Sequence, residues 1–339
     1  MSLNPQPYLE RIYKEADRMK FDPKKSSWKE WKQKARKIFK KDLGSFPEPA
    51  PLQPQIKKEK EFEEYTRQKV IYTGTADLDI NAYVLIPHHN QQQYPAVVAL
   101  HGHGYGNKAV VGLNPDGTEN KGDPDYQKNF ALELAKKGFL VIAPELLAFG
   151  ERRLEEDRED EPGKSSCHKL SIYLLMMGQT MSGLRVFDTV RTLDYLETRK
   201  EVDSSRLGCM GISGGGLVCA FTSALEDRVK AAVISGYTNT FKKSVLAINH
   251  CVDNFVPDLV SHLEMPEIIS LIAPRPLLVE GGTEDPIFPI EGTKTAYSRL
   301  NEIYQYLGTK NRLEKDFFEG EHQISGRKAY DWLEKWLKK

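Results

Sequence analysis

The spacing of apolar residues divides the chain in two. Over residues 5–44 apolar side chains return every three or four positions. Leu9, Ile12, Ala16 and Met19 share one face, and Trp28, Trp31, Ala35 and Ile38 share another. That period predicts two amphipathic helices that need a surface to pack on. Ser27 stands at the N-cap of the second, and Glu30 three residues on completes a capping box. Pro47, Pro49, Pro51 and Pro54 then break regular structure and predict a stiff linker up to residue 60.

From residue 61 the pattern changes. Val70–Tyr72 and Ala82–Ile86 are β-rich runs joined by a turn-like Gly74–Asp79 segment. Pro95–Leu100, Phe139–Ala143, Leu207–Ile212, Val229–Ser235 and Pro276–Glu280 are short runs of mainly apolar residues, as strands buried on both faces require. Helix-like stretches fall between and after them, at 126–137, 178–200, 214–226 and 290–306. Lys315–Phe318 predicts a last strand and 326–338 a last helix. Strands alternating with helices predict an α/β protein: a mostly parallel, eight-stranded sheet with helices on both faces and an N-terminal helical extension. The expected organisation is an extension and linker over 1–60 and a catalytic domain over 61–339. Two excursions, at about 144–177 and 236–265, interrupt the alternation. Both follow strand ends, where ligand-binding loops of open α/β sheets lie, so they are candidate walls or lids.

Composition narrows the function classes. The 339 residues hold 48 Lys+Arg and 48 Asp+Glu, 28% charged and 40% hydrophobic. Zero net charge excludes a dedicated nucleic-acid binder, and the apolar content excludes a disordered chain. The balance hides an asymmetry: residues 1–60 carry 16 basic and 8 acidic side chains, the remainder 32 and 40. The basic residues are interleaved with apolar ones at helical spacing. This favours solvated faces docking on an acidic body over a surface for an acidic partner. The cysteines, 167, 209, 219 and 251, include no C-x-x-C pair, and Cys209 and Cys219 read as reduced core thiols. The N-terminus shows no signal-peptide pattern, and no apolar run reaches 18 residues. A cytoplasmic location with no membrane partner is expected.

The chemistry concentrates at Gly208–Gly216, which contains G-x-S-x-G as Gly211, Ser213 and Gly215. An apolar strand runs into it and a small-residue helix leaves it, the setting of a nucleophile elbow. A plain glycine-rich turn is the alternative; a P-loop is excluded because no G-K-[ST] follows. A serine nucleophile needs a base and an orienting acid. Of the three histidines after Ser213, only His322 lies between the last strand and the last helix, while His250 and His262 fall in an excursion. Asp285 and its neighbour Glu284 both follow the preceding strand. Asp285, fixed by Pro286–Pro289, is the preferred acid and Glu284 a solvated neighbour. Backbone N–H groups of Gly214 and His103 are the expected oxyanion donors, the latter from the loop His101–Gly106. His101 and His103 could instead be metal ligands, and Cys167-His168 and His250-Cys251 invite metal or Cys–His readings. His101 and His103 have no third ligand nearby in sequence, and the two cysteine pairs lie in the irregular excursions, so no metal and no cofactor are expected.

The set His101-Gly102-His103-Gly104, Gly211-Ile212-Ser213-Gly214-Gly215, Asp285 and Glu321-His322 resembles the α/β-hydrolase superfamily. Within it, the chain is similar to dienelactone hydrolase-related and acetyl xylan esterase-related bacterial serine esterases over about residues 65–339. The resemblance implies that the loop Glu145–Glu151 lines an acyl pocket, with Leu147 and Phe149 in it. Tyr105, Tyr237 and Phe288 complete the expected pocket. Dienelactone hydrolases carry Cys at the nucleophile position; Ser213 stands there in this chain, which points to simple esters. The expectation is therefore a serine hydrolase cleaving short-acyl or acetyl esters, possibly of carbohydrates, through a Ser213–Asp285–His322 triad and an acyl-enzyme. The expected partner is a small-molecule ester, with a homo-oligomer possible. The alternatives are a small-peptide serine peptidase of the prolyl oligopeptidase type and a non-catalytic binding protein on the same fold.

Overall fold

The computed structural model describes residues 3–89 and 91–338. Its strands are β1 (Gln55–Glu61), β2 (Tyr65–Thr75), β3 (Leu78–Pro87), β4 (Tyr94–Leu100), β5 (Leu140–Pro144), β6 (Val202–Ile212), β7 (Val229–Ser235), β8 (Leu277–Gly282) and β9 (Leu313–Phe318). Its helices are α1 (Gln6–Glu15), α2 (Trp28–Asp42), α3 (Phe130–Lys136), α4 (Cys167–Met176), α5 (Met181–Thr198), α6 (Gly214–Leu225), α7 (Leu259–His262), α8 (Met265–Ser270), α9 (Ile290–Tyr306) and α10 (Ala329–Leu337).

All nine strands join one sheet in the order β1-β2-β3-β5-β4-β6-β7-β8-β9. The first three pair antiparallel, and every pairing from β5 to β9 is parallel. Strands β4 and β5 are buried at every residue, as strands covered by helices on both faces must be. One core packs α2, α5, α6, α8 and α9 with the sheet; the other packs α3 and α10. From β4 the chain moves to β5 on one side, and β6 lies on the other. This reversal opens a crevice beyond the carboxyl ends of β4 and β6. The loop after β4 and the turn after β6 both empty into it. The architecture is an α/β-hydrolase fold preceded by N-terminal helices.

Several expectations need correction. The sheet has nine strands, not eight, because β1 begins at Gln55 inside the stretch read as linker. Its sequence, Gln-Ile-Lys-Lys-Glu-Lys-Glu, is exposed at every position and carries no buried-strand pattern. Backbone pairing with β2 alone makes it a strand. The helix expected at 126–137 starts only at Phe130, since Lys128 and Asn129 adopt positive φ of 53° and 49°. In the extension, α1 ends at Glu15 and buries nothing. Leu9 is 55% exposed and Ile12 43%, so of this apolar face it is Met19, beyond the helix end, that packs against the core.

Helix α2 behaves as its sequence predicts. Ser27 and Glu30 form the reciprocal capping box, and Trp31, Ala35 and Phe39 are buried. Aromatic packing dominates its attachment. Phe21 meets Trp28 at 5.1 Å, Trp31 at 5.8 Å and Tyr306 of α9 at 5.1 Å, and Phe39 meets Phe221 of α6 at 4.9 Å. Ion pairs to the body are few among the described residues: Arg36–Asp227, Lys60–Glu119 and Asp42–His262. The Asp227 side chain is 66% exposed, and such surface pairs contribute ~0–1 kcal/mol. Each aromatic contact adds about 0.5–1.5 kcal/mol beyond its buried area. Complementary net charge between the two parts is therefore the lesser cause of docking.

Candidate active site

The turn after β6 is as tight as its glycines suggest. A Cβ on Gly211 would lie 2.2 Å from the Gly215 carbonyl oxygen, and one on Gly215 would lie 2.0 Å from that of Leu100. Ser213 between them holds φ 57° and ψ −123°, a strained conformation for a residue with a side chain. The fold imposes it because Ser213 N–H donates to the Ser235 carbonyl and the Ser213 carbonyl accepts from Leu217 N–H. A Cβ on Gly102 would stand 3.1 Å from Ser213 Cβ, so the loop after β4 closes against the elbow.

That loop is held from several sides. His101 is fully buried, with Nε2 accepting from Leu146 N–H at 3.0 Å and Nδ1 2.8 Å from the Gly102 carbonyl. Both nitrogens thus serve the backbone, which removes His101 from the suspected His101/His103 ligand pair. Gln127 Oε1 accepts from Gly102 N–H at 2.7 Å, and Tyr126 Oη donates to the His103 carbonyl at 2.6 Å. The His103 ring lies over Gly214, whose added Cβ would sit 3.2 Å from His103 Cε1.

Across the elbow, His322 Nδ1 lies 2.7 Å from Asp285 Oδ2. Asp285 Oδ1 accepts from the N–H groups of Ile287 and Phe288 at 2.8 and 2.9 Å. Glu284 is exposed and makes no such contact with His322. The imidazole is stacked between Tyr126 at 5.7 Å and Phe288 at 5.8 Å. Gly236, at φ 52°, packs against it: an added Cβ would meet His322 Cε1 at 2.9 Å. His322 Nε2 is buried and has no hydrogen-bond partner, so the hydroxyl-to-imidazole bond that completes a serine triad is not formed.

A second set of groups meets on the other side of His103. Cys167 begins α4 in the first excursion; Cys251 and Asp253 come from the second. One atom from each of His103, Cys167, Cys251 and Asp253 lies within 4.8 Å of the others. Asp253 Oδ2 is 3.3 Å from His103 Nε2 and 3.5 Å from Cys167 Sγ. The fully buried Arg185 of α5 donates to Asp253 Oδ2 at 2.6 Å and to Cys167 Sγ at 3.1 Å. A hydrogen bond from Cys251, with Arg185 beside it, holds the Cys167 thiol below the usual thiol range against the opposing effect of burial. The Cys251 thiol is pushed up, first by the same bond. Burial lowers His103, but Asp253 and Cys167 together outweigh it and raise the imidazole to about 9. Asp253 is held well below the usual carboxylate range by Arg185 and His103, against burial.

The assignment to a serine hydrolase is corrected by this His/Cys/Asp cluster. A thiol with a depressed pKa beside a cationic imidazole is the prepared nucleophile in such chemistry, and the cluster points to cysteine instead of serine. The dismissal of Cys167 and Cys251 as residues of irregular loops is corrected with it. Four of the five expected pocket residues are buried beside these groups. Phe149 packs edge-on against His103 at 5.0 Å, Leu147 offers its carbonyl to Arg185, and Tyr237 is buried against Phe288 at 5.3 Å. Tyr105 instead faces a separate surface cavity with Lys108, Pro115 and Arg153. His250, read only as wall, packs on Phe288 at 5.7 Å with both ring nitrogens buried and unpartnered.

Residues 9–305 match the profile described as the Abhydrolase family. The chain belongs to that family. A protein of Bacillus subtilis named as a hydrolase, YtaP, is 29% identical over 315 residues, covering 89% of this abhydrolase and 98% of the relative. A crystal structure of a Bacteroides fragilis protein named as an acetyl xylan esterase superposes with a TM-score of 0.79. It is 18% identical and covers 98% of this chain and 90% of its own. An acetyl xylan esterase from Paenibacillus sp. R4 gives a TM-score of 0.60 at 17% identity, covering 97% and 99%. At these identities the two structures bear on fold. Together with the family match they bear out the resemblance to the α/β-hydrolases. Among the described residues no helix is long and apolar enough to cross a membrane.

Proposed function

We propose that this abhydrolase hydrolyses small carboxylic esters, with Cys167 as the nucleophile. The observation that carries the reading is the contact set around its sulfur: Arg185 Nη2 at 3.1 Å, with His103 and Asp253 closing the cluster. In the proposed reaction Sγ attacks the ester carbonyl, the alcohol leaves with a proton, and a thioester forms. Water then cleaves the thioester, releasing the acid and restoring the thiol. Asp253 orients His103, which shares the proton of the thiol. Backbone N–H groups of Gly214 and His103 are the proposed oxyanion donors. On the elbow side, His322 oriented by Asp285 is the proposed proton carrier for the leaving alcohol and the incoming water. Leu147, Phe149, Tyr237 and Phe288 support an apolar acyl pocket. Short acyl groups, including acetyl groups on carbohydrates, are the proposed substrates, in keeping with the names of the structural neighbours. The four unpaired thiols support a cytoplasmic, reducing location.

The test is p-nitrophenyl acetate turnover by Cys167→Ala and Ser213→Ala. The reading expects the larger loss, on the order of 10³-fold or more, in Cys167→Ala. A Cys167→Ala protein that keeps its rate while Ser213→Ala loses it would overturn the thiol assignment. Amino-acyl anilides run alongside separate an esterase from a peptidase.

A further inference from the structure

The cluster beside the elbow has a second property that ester chemistry does not require. Four side chains of metal-ligating type converge there: one imidazole, two thiols and one carboxylate. They come from three distant parts of the chain. His103 lies after β4, Cys167 at the start of α4, and Cys251 and Asp253 before α7. We propose that His103, Cys167, Cys251 and Asp253 form a binding site for a soft divalent cation, Zn²⁺ in the first place.

The geometry is close to what the ion needs. A tetrahedral zinc with bonds of about 2.0–2.3 Å sets its ligand atoms about 3.3–3.8 Å apart. Two edges already have that length: His103 Nε2 to Asp253 Oδ2 at 3.3 Å and Cys167 Sγ to Asp253 Oδ2 at 3.5 Å. The widest separation in the set, within 4.8 Å, closes by about 1 Å. His103 Nε2 is also a buried nitrogen with no aligned hydrogen-bond partner, aimed into this set. The ligand types suit the ion as well, since thiolate and imidazole favour zinc over magnesium or calcium.

The surroundings complete the site. Two thiolates and a carboxylate carry three negative charges; Zn²⁺ and the Arg185 guanidinium carry three positive ones. The buried site is then neutral. Arg185 already donates to the Asp253 and Cys167 atoms that would bind the ion. Asp253 Oδ1, the oxygen turned away, accepts from Asn254 Nδ2 at 2.7 Å. Such outer contacts fix the direction of ligands and raise affinity. Four protein ligands leave no open position, which describes a closed site that holds an ion without activating water. Binding stands on this geometry alone. Its consequence for turnover rests on the thiol reading above: zinc would occupy the Cys167 lone pair and switch ester hydrolysis off.

The experiment titrates the metal-free, reduced full chain with Zn²⁺ against a chromophoric chelator, and with Co²⁺ while recording the absorption spectrum. The expected result is one tight equivalent and a thiolate-to-cobalt charge-transfer band. Both should weaken on the order of 10²-fold or more in Cys251→Ser and in Cys167→Ser. Cys251 is only partly buried, so its variant decides the question if Cys167→Ser fails to fold. No tight equivalent, or one that survives Cys251→Ser with the band unchanged, would overturn the site. Ester turnover separates the two readings. Zinc bound at one equivalent with full turnover retained would refute the thiol nucleophile and leave the metal site standing. Turnover lost on thiol alkylation with no zinc bound would do the reverse.

Discussion

The two sides of the crevice are built in different ways. The elbow side is made of short segments fixed by the sheet: Ser213 follows β6, Asp285 follows β8 and His322 follows β9. Each side chain is one or a few residues from a strand end, and its position follows from the fold. The thiol side is made of residues that no strand positions directly. Cys167, Cys251 and Asp253 ride on the two excursions and meet only because both excursions fold over the loop after β4. The first side is held by backbone geometry, such as the strained Ser213 and the N–H groups on Asp285. The second is held by charge, through Arg185. Precision from a rigid scaffold and precision from a buried ion network fail differently, and that difference can be tested.

The largest expected effect is on turnover. His322→Ala removes the proposed proton carrier and should lower kcat for p-nitrophenyl acetate on the order of 10³-fold, with the thermal midpoint nearly unchanged. An unchanged kcat would reduce the elbow side to scaffold. Next, Arg185→Met should destabilise the fold by about 3–5 kcal/mol in urea unfolding, because the buried Asp253 loses its closest cation and keeps only the His103 imidazole. A loss under ~1 kcal/mol would mean that the thiol side is not held by charge.

Glu280 on β8 then separates the two by pH. Its carboxylate accepts from Ser325 N–H, just beyond His322, and burial, with Asp316 beside it, pushes its pKa up to about 7. Arg327 and Tyr330 are the other titratable groups near it. A carboxyl raised in the folded state binds its proton more tightly than in the unfolded chain. Its contribution is therefore present below about 4.5 and lost as pH rises through about 7. Glu280→Gln should gain about 3 kcal/mol over the parent at pH 8 and little at pH 4. An equal effect at both values would sink this account. The smallest effect is Ser27→Ala, which removes the cap of α2 beneath the second excursion and should cost about 1 kcal/mol without changing kcat. A changed kcat would show that the excursion depends on the extension for its catalytic geometry.

Legibility in the sequence follows the same division. The elbow, Asp285 and His322 stand in local patterns that a linear reading can find, because strand ends locate them. Glu284 and Asp285 were separable by their context, since the Pro-rich turn begins after Asp285. The thiol cluster was illegible because its members are 64 and 84 residues apart, from 103 to 167 and from 167 to 251. The available signal was weak: a cysteine in each of two excursions that both follow strand ends. Gly236 was missed for a related reason, since only the arrival of the His322 ring makes its missing side chain necessary. In the sheet, β1 was missed because its residues satisfy the backbone of β2 and bury nothing of their own.

That first strand also shapes how the molecule meets copies of itself. An outermost strand offers a row of free N–H and C=O groups to any extended chain that comes alongside. Here the row is lined by Lys57, Lys58, Glu59, Lys60 and Glu61, every one of them exposed. A neighbour that paired with this edge would have to strip water from a dense line of charges, or match it sign for sign. The sheet ends in a border that discourages its own extension, so a sheet this broad can stay at nine strands.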